Sequence, residues 1–179
     1  MALIGCLGWG SLIWDPRCLP IRRGWYDDGP MIQVEFARQS KDGRITLVID
    51  TSAQSIRSFW ALLDRTDIEE AIEALRRREV CAKHHIGSWQ SGREPPAGII
   101  GVKNWLTARG LDAIIWTALP PGIGGNEFTP SEKEVLSYLS RLTGSKRDKA
   151  EEYIRKAPKQ TDTAYRRRIE AELGWSPIE

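Results

Sequence analysis

The sequence has little of what disulfide scaffolds, metal centres and membrane spans are built from. Cysteine occurs three times in 179 residues, at Cys6, Cys18 and Cys81. An odd number with no tight pair argues against a disulfide framework and leads us to expect a reduced, cytoplasmic protein. Histidine occurs twice, as His84 and His85. The run Cys81-Ala82-Lys83-His84-His85 carries metal-capable side chains, but no further His and no cysteine pair with zinc-site spacing accompany it, so no metal is expected. No stretch approaches the ~18 consecutive apolar residues of a membrane-spanning helix. The N-terminal residues do not read as a secretory leader, and no membrane association is expected. Charge of one sign is not in excess either: 26 Lys and Arg oppose 24 Asp and Glu. That balance names no acidic or basic partner. Cofactor signatures are missing too. With Gly8 and Gly10 as the first glycines of a dinucleotide fingerprint, the third would fall at Ile13, and no Gly-Lys-Ser/Thr follows to make a P-loop, so no cofactor is expected.

What remains is ordinary globular composition, 41% apolar and 28% charged, in a length that suits one domain with an appendage. The eight tryptophans are unusual; such large side chains line pockets as well as cores. The chain is organised around residues 3–7, an apolar run with the pattern of a buried strand, and the turn Gly8-Trp9-Gly10-Ser11-Leu12 that leaves it. Two glycines in three residues permit unusual backbone angles and leave main-chain N–H groups uncovered. Such a turn can form a concave nest for a carboxylate or phosphate, with the Ser11 hydroxyl beside it. A plain tight turn is the alternative reading of the same residues.

Residues 31–37 alternate, with Ile32, Val34 and Phe36 on one face, and predict a half-buried strand. The Asp42-Gly43 turn returns it to a partner strand at 45–49. A further strand is predicted at 56–63, and a loop at 84–96. Residues 67–79 predict the best-defined helix, capped by Thr66 with Glu69 reaching back. Its apolar stripe is Ile68, Ala71, Ile72 and Leu75; four residues further on the same stripe stands Glu79. A carboxylate there lies on the buried face, at a pocket edge, where partial desolvation suits proton transfer near neutral pH. A surface Glu paired with Arg76 or Arg78 fits the same residues. A helix is predicted at 97–109, stopped by Gly110, and a buried strand at 112–119. From Gly122 the composition changes to a glycine-rich linker and three helices, near 130–142, 146–156 and 161–173.

The turn Gly8-Trp9-Gly10-Ser11-Leu12-Ile13-Trp14 resembles the opening motif of the γ-glutamylcyclotransferase-like superfamily, in its ChaC and AIG2-like branch, with Trp9 where Tyr is more usual. In that branch a strand leads into a helix ending Arg-Glu; here the strand ending Phe59-Trp60-Ala61-Leu62-Leu63 leads to the helix ending Arg78-Glu79. The resemblance covers roughly residues 3–119. It departs after Glu79, where Val80-Cys81-Ala82-Lys83 replaces the Gly-Tyr of glutathione-directed members. It implies an α+β fold: a mixed, partly closed β-barrel with flanking helices. The domain would span 1–121, and 122–179 would be a linker and helical extension packed on it. It further implies a cofactor-independent enzyme whose small-molecule γ-glutamyl substrate binds at Gly8, Trp9, Gly10, Ser11 and Leu12. Glu79 would be the general acid/base that closes the γ-glutamyl group to 5-oxoproline and releases an amine. The alternative is a non-catalytic module that keeps the pocket to bind a metabolite or protein. The basic run Arg166-Arg167-Arg168 raises a nucleic-acid reading, but Glu170 and Glu172 interleave and a solvated helix face with no nucleic-acid partner is expected. Oligomeric state is not readable.

Overall fold

Eight strands and five helices make an α+β arrangement over residues 1–178, which the computed structural model describes. Strands β1 (Ile4–Gly8), β5 (Phe59–Leu62), β6 (Ile86–Gln90) and β8 (Ala113–Thr117) form a mixed sheet in the order β5-β1-β8-β6. β1 runs parallel to β8 and antiparallel to β5. In the second sheet β2 (Met31–Gln39) pairs antiparallel with β3 (Ile45–Ile49), β4 (Ser55–Arg57) and β7 (Ile99–Ile100). Among the described residues neither sheet closes on itself.

The single strand expected at 56–63 is two strands in two sheets, β4 and β5. The chain turns the corner at Ser58, which is fully buried. Its N–H and hydroxyl both donate to the Pro30 carbonyl, at 3.1 and 2.7 Å. The loop expected at 84–96 contains β6. Its period is hidden because Gly87 stands where an alternating side chain would: a Cβ there would come within 2.2 Å of the Trp116 ring. The helix expected at 97–109 is shorter. Ile99 and Ile100 pair with β2, Gly101 takes a left-handed φ of 70°, and α2 (Val102–Arg109) follows.

Helix α1 (Ile68–Glu79) forms as its stripe dictates, with Ala71, Ile72 and Leu75 buried. Its cap is Asp67 rather than Thr66: one carboxylate oxygen accepts from the Glu69 and Glu70 amides at 2.9 and 3.0 Å. A carboxylate caps better than a threonine hydroxyl, and the Glu69 side chain turns away to Lys83.

The first sheet is covered on both faces. Ile4 and Cys6 of β1 and Ala113 and Ile115 of β8 meet α1, whereas Leu7, Ile114 and Trp116 join a larger core with Ile32, Val34 and Phe36 of β2. That larger core also holds Val135, Leu139, Ala150, Tyr153, Ile154 and Ile169 from α3 (Glu132–Ser140), α4 (Gly144–Lys156) and α5 (Ala164–Leu173). The Arg166 side chain is 1% exposed, not on a solvated face as expected. Its guanidinium donates to the carbonyls of Ile154, Ala157, Pro158 and Thr161, clamping the end of α4. Arg167 pairs with Asp162, and Arg168 with Glu132 and Glu172. At the same N-terminal end of α5, the buried carboxylate of Glu35 accepts from the Thr163 hydroxyl (2.5 Å) and the Tyr165 amide (3.2 Å). No helix of the described residues is long and apolar enough to cross a membrane.

Candidate active site

A cleft of about 620 Å³ opens at the C-terminal end of β1. Trp9, Gly10, Ser11 and Leu12 line it together with Arg78 and Glu79, Arg38 and Arg44 from the β2–β3 hairpin, and Tyr153 from α4. The structure thus brings together the two motifs singled out in the sequence, 67 residues apart at Ser11 and Arg78. Gly8 does not line the cleft. It is the last residue of β1, paired with Phe59.

Neither Gly8 nor Gly10 adopts the positive φ that two close glycines suggested. Both are required instead by close approach. A Cβ on Gly8 would meet the Trp25 ring at 2.8 Å, and one on Gly10 would meet the Tyr153 hydroxyl oxygen at 2.7 Å. The turn is held from within by the Ile13 amide donating to the Gly10 carbonyl and the Asp15 amide to the Ser11 carbonyl. Among the described residues, the amides of Gly10, Ser11 and Leu12 donate to no protein acceptor. Three such donors in one turn that lines the cleft have the chemistry of an anion site. From outside, the Thr161 hydroxyl donates to the Trp9 carbonyl and the Trp9 indole to the Leu47 carbonyl.

Glu79 is the last residue of α1, its side chain 14% exposed. Its Oε1 accepts from Arg78 at 2.8 Å, and Arg78 is only 4% exposed. The other donors of Arg78 go to the Asp15 carbonyl (2.5 and 3.1 Å) and the Ser11 hydroxyl (3.3 Å). One guanidinium therefore ties the helix end to the turn and gives the carboxylate a counter-charge, which burial demands. Arg76 is engaged elsewhere: with Arg77 it holds the Glu73 carboxyl down at about 2. Among the described residues no protein donor reaches Glu79 Oε2, and Glu79 lines the cleft.

Two residues other than glycine have left-handed backbones among those described, Arg17 (φ 50°) and Val80 (φ 53°). Both line the cleft. Val80 ends α1 where glycine is the usual terminator, and a β-branched residue is strained there. Such strain gathers at functional sites.

Other candidates separate from the site. Burial pushes the Cys6 thiol up, as suits a core thiol rather than a nucleophile. Cys81 and His85 line the cleft, but no group of described His, Cys, Asp or Glu side chains could hold a metal ion. Burial, then His84 and Arg38, push His85 down. Tyr153 is a cleft residue for which the sequence gives no signal, since at its place in α4 it reads as an ordinary core aromatic. No family model matches the chain, and no curated protein matches it.

Proposed function

We propose that the chain is a γ-glutamyl cyclotransferase, converting a γ-glutamyl amide to 5-oxoproline and a free amine. The observation that carries this is the meeting of a half-buried carboxylate, Glu79, with the three unpartnered amides of the Gly10–Leu12 turn across one cleft. A γ-glutamyl compound fits those parts because it contains its own nucleophile. Its α-carboxylate takes the amides. Its α-ammonium gives a proton to Glu79 Oε2. The freed amine attacks the γ-carbonyl carbon, and Glu79 returns the proton to the departing nitrogen as its C–N bond breaks; Glu79 then takes the second proton from the ring nitrogen and passes it to the amine, which leaves as an ammonium. Atoms balance without water, and holding the ends of one molecule in near-attack geometry supplies much of the acceleration. Arg78 keeps Oε1 occupied so that Oε2 does the work.

The resemblance at 8–14 and at Arg78-Glu79 supports the same reading, in which the two sheets, joined at Ser58, correspond to the partly closed barrel of that superfamily and 122–179 to a helical extension packed on it. The odd, unpaired cysteines agree with a cytoplasmic setting. Incubation with γ-glutamyl amino acids, peptides and simple amides, followed for 5-oxoproline, tests the reaction. Turnover of any of them that disappears in Glu79→Gln supports it. Binding without turnover makes the chain a metabolite-binding module.

A further inference from the structure

The helical segment lies outside the resemblance, yet it sends one side chain into the cleft. Tyr153 is 6% exposed. Its ring is fixed by edge contacts with Trp14 and Phe36 and by Arg44 across its face, at centroid distances of 5.4, 6.4 and 5.4 Å. The hydroxyl sits against Gly10, at the first of the three unpartnered amides. The Leu47 amide donates to its oxygen at 3.4 Å, filling one lone pair. Among the described residues no acceptor takes the hydroxyl's own hydrogen. Burial pushes its pKa up to about 12, so the proton stays on at neutral pH.

A buried tyrosine hydroxyl ordinarily finds a partner. We propose that the missing partner is the carboxylate of the bound molecule: the Tyr153 O–H completes the Gly10–Leu12 amides as the side-chain donor of a carboxylate site. This deepens the cyclotransferase reading and rests on it for the identity of the ligand. It assigns α4 to the substrate site. A hydrogen bond from O–H to a charged acceptor is among the stronger kinds, so a carboxylate gains more from it than the neutral carbonyl oxygen of a carboxamide.

The test compares Tyr153→Phe with wild type for binding of 5-oxoproline and of its carboxamide by calorimetry. The ring contacts stay in the variant. The expected result is a tenfold or greater loss of affinity for 5-oxoproline and a clearly smaller loss for the carboxamide, a difference that loosened packing would not produce. Equal loss for both, or no loss, overturns the assignment while leaving the cyclotransferase reading intact. Wild-type binding of 5-oxoproline without turnover of any γ-glutamyl compound sinks the enzyme and leaves Tyr153 judged by the same ratio. Failure of wild type to bind 5-oxoproline, with Glu79→Gln also failing to bind a γ-glutamyl dipeptide, overturns the carboxylate site itself. Should Tyr153→Phe not fold, wild type carrying 3-fluorotyrosine at its four tyrosines decides. The fluorine resonance of residue 153 must move when 5-oxoproline is added, and a stationary resonance overturns the proposal.

Discussion

Arg78 and Glu79 are neighbours in sequence and bridge at 2.8 Å. Within a helix, successive side chains do not face each other. They meet here at the end of α1, where Glu79 is the last helical residue and Val80 turns left-handed. If Glu79 carries the proton, Glu79→Gln keeps its size and leaves binding of a γ-glutamyl ligand intact, while kcat falls by roughly a hundredfold or more. Glu73→Gln, on the outer face of the same helix, is expected to leave turnover unchanged. Equal kcat for the two variants in a steady-state assay would remove Glu79 from the mechanism.

Arg78→Lys tests the tie between helix and turn. A lysine keeps the charge but cannot reach Glu79, Ser11 and the Asp15 carbonyl together, as the guanidinium fork does. The expected loss is about 1–3 kcal/mol of stability, from buried partners left unpaired. kcat is expected to fall as Glu79 loses the fixed donor on its Oε1. Thermal unfolding and a steady-state assay read the two effects separately.

Gly10→Ala places a Cβ 2.7 Å from the Tyr153 hydroxyl and is expected to cost about 1–3 kcal/mol by overpacking. Gly10→Val should cost more and abolish ligand binding. The sharper measurement is a double-mutant cycle. In Tyr153→Phe the obstructing oxygen is gone and the next ring atom is 3.7 Å away, so Gly10→Ala should cost almost nothing there. Additive penalties in denaturant melts would contradict the close approach.

Glu35 makes stability depend on pH. Burial raises its carboxyl above the ordinary 4.5, and hydrogen bonds from Thr163, Phe36 and Tyr165 pull it part of the way back. A raised folded value means that the folded state binds the proton more tightly. The contribution is therefore complete below 4.5 and is lost as pH rises through the folded value. Relative to Glu35→Gln, the urea midpoint of wild type should fall over the range from pH 4.5 upward. Parallel midpoints across that range would show that Glu35 carries no such shift.

A fragment ending at Gly125 removes α3, α4 and α5, whose Val135, Leu139, Tyr153, Ile154 and Ile169 share a core with Leu7, Phe36 and Leu47. It should expose that apolar surface, bind a hydrophobic dye and lose a cooperative thermal transition. A sharp transition in the fragment would show that the strands form a core of their own.

The parts legible in the sequence are those whose burial is dictated locally. The stripe Ala71, Ile72, Leu75 repeats at helical spacing because one face of α1 packs on the sheet, and extending it by one turn finds Glu79. The alternation Ile32, Val34, Phe36 finds β2 in the same way. Long-range packing hides the rest. Ser58 interrupts an apolar run without any break in its pattern, because the corner is set by Pro30, 28 residues earlier. Gly87 blanks the period of β6 to make room for Trp116. Gly8 and Gly10 were legible as glycines that the turn requires but not for their reason, since the Trp25 ring and the Tyr153 hydroxyl lie far off in the chain. Tyr153 itself looks like any aromatic on an amphipathic helix.

The placement of Tyr153 also bears on the order in which the molecule can become competent. Gly10 and Leu47 leave the ribosome before α4, whose Tyr153, on the opposite wall, follows Leu47 by 106 residues. β1 must likewise wait for β8, its parallel neighbour. N-terminal segments emerge first during synthesis, so the amides of the turn wait through the synthesis of those residues without the wall that confines a ligand against them. A nascent chain stalled anywhere between Glu79 and α4 would carry Glu79 and the turn together and still lack a finished cleft.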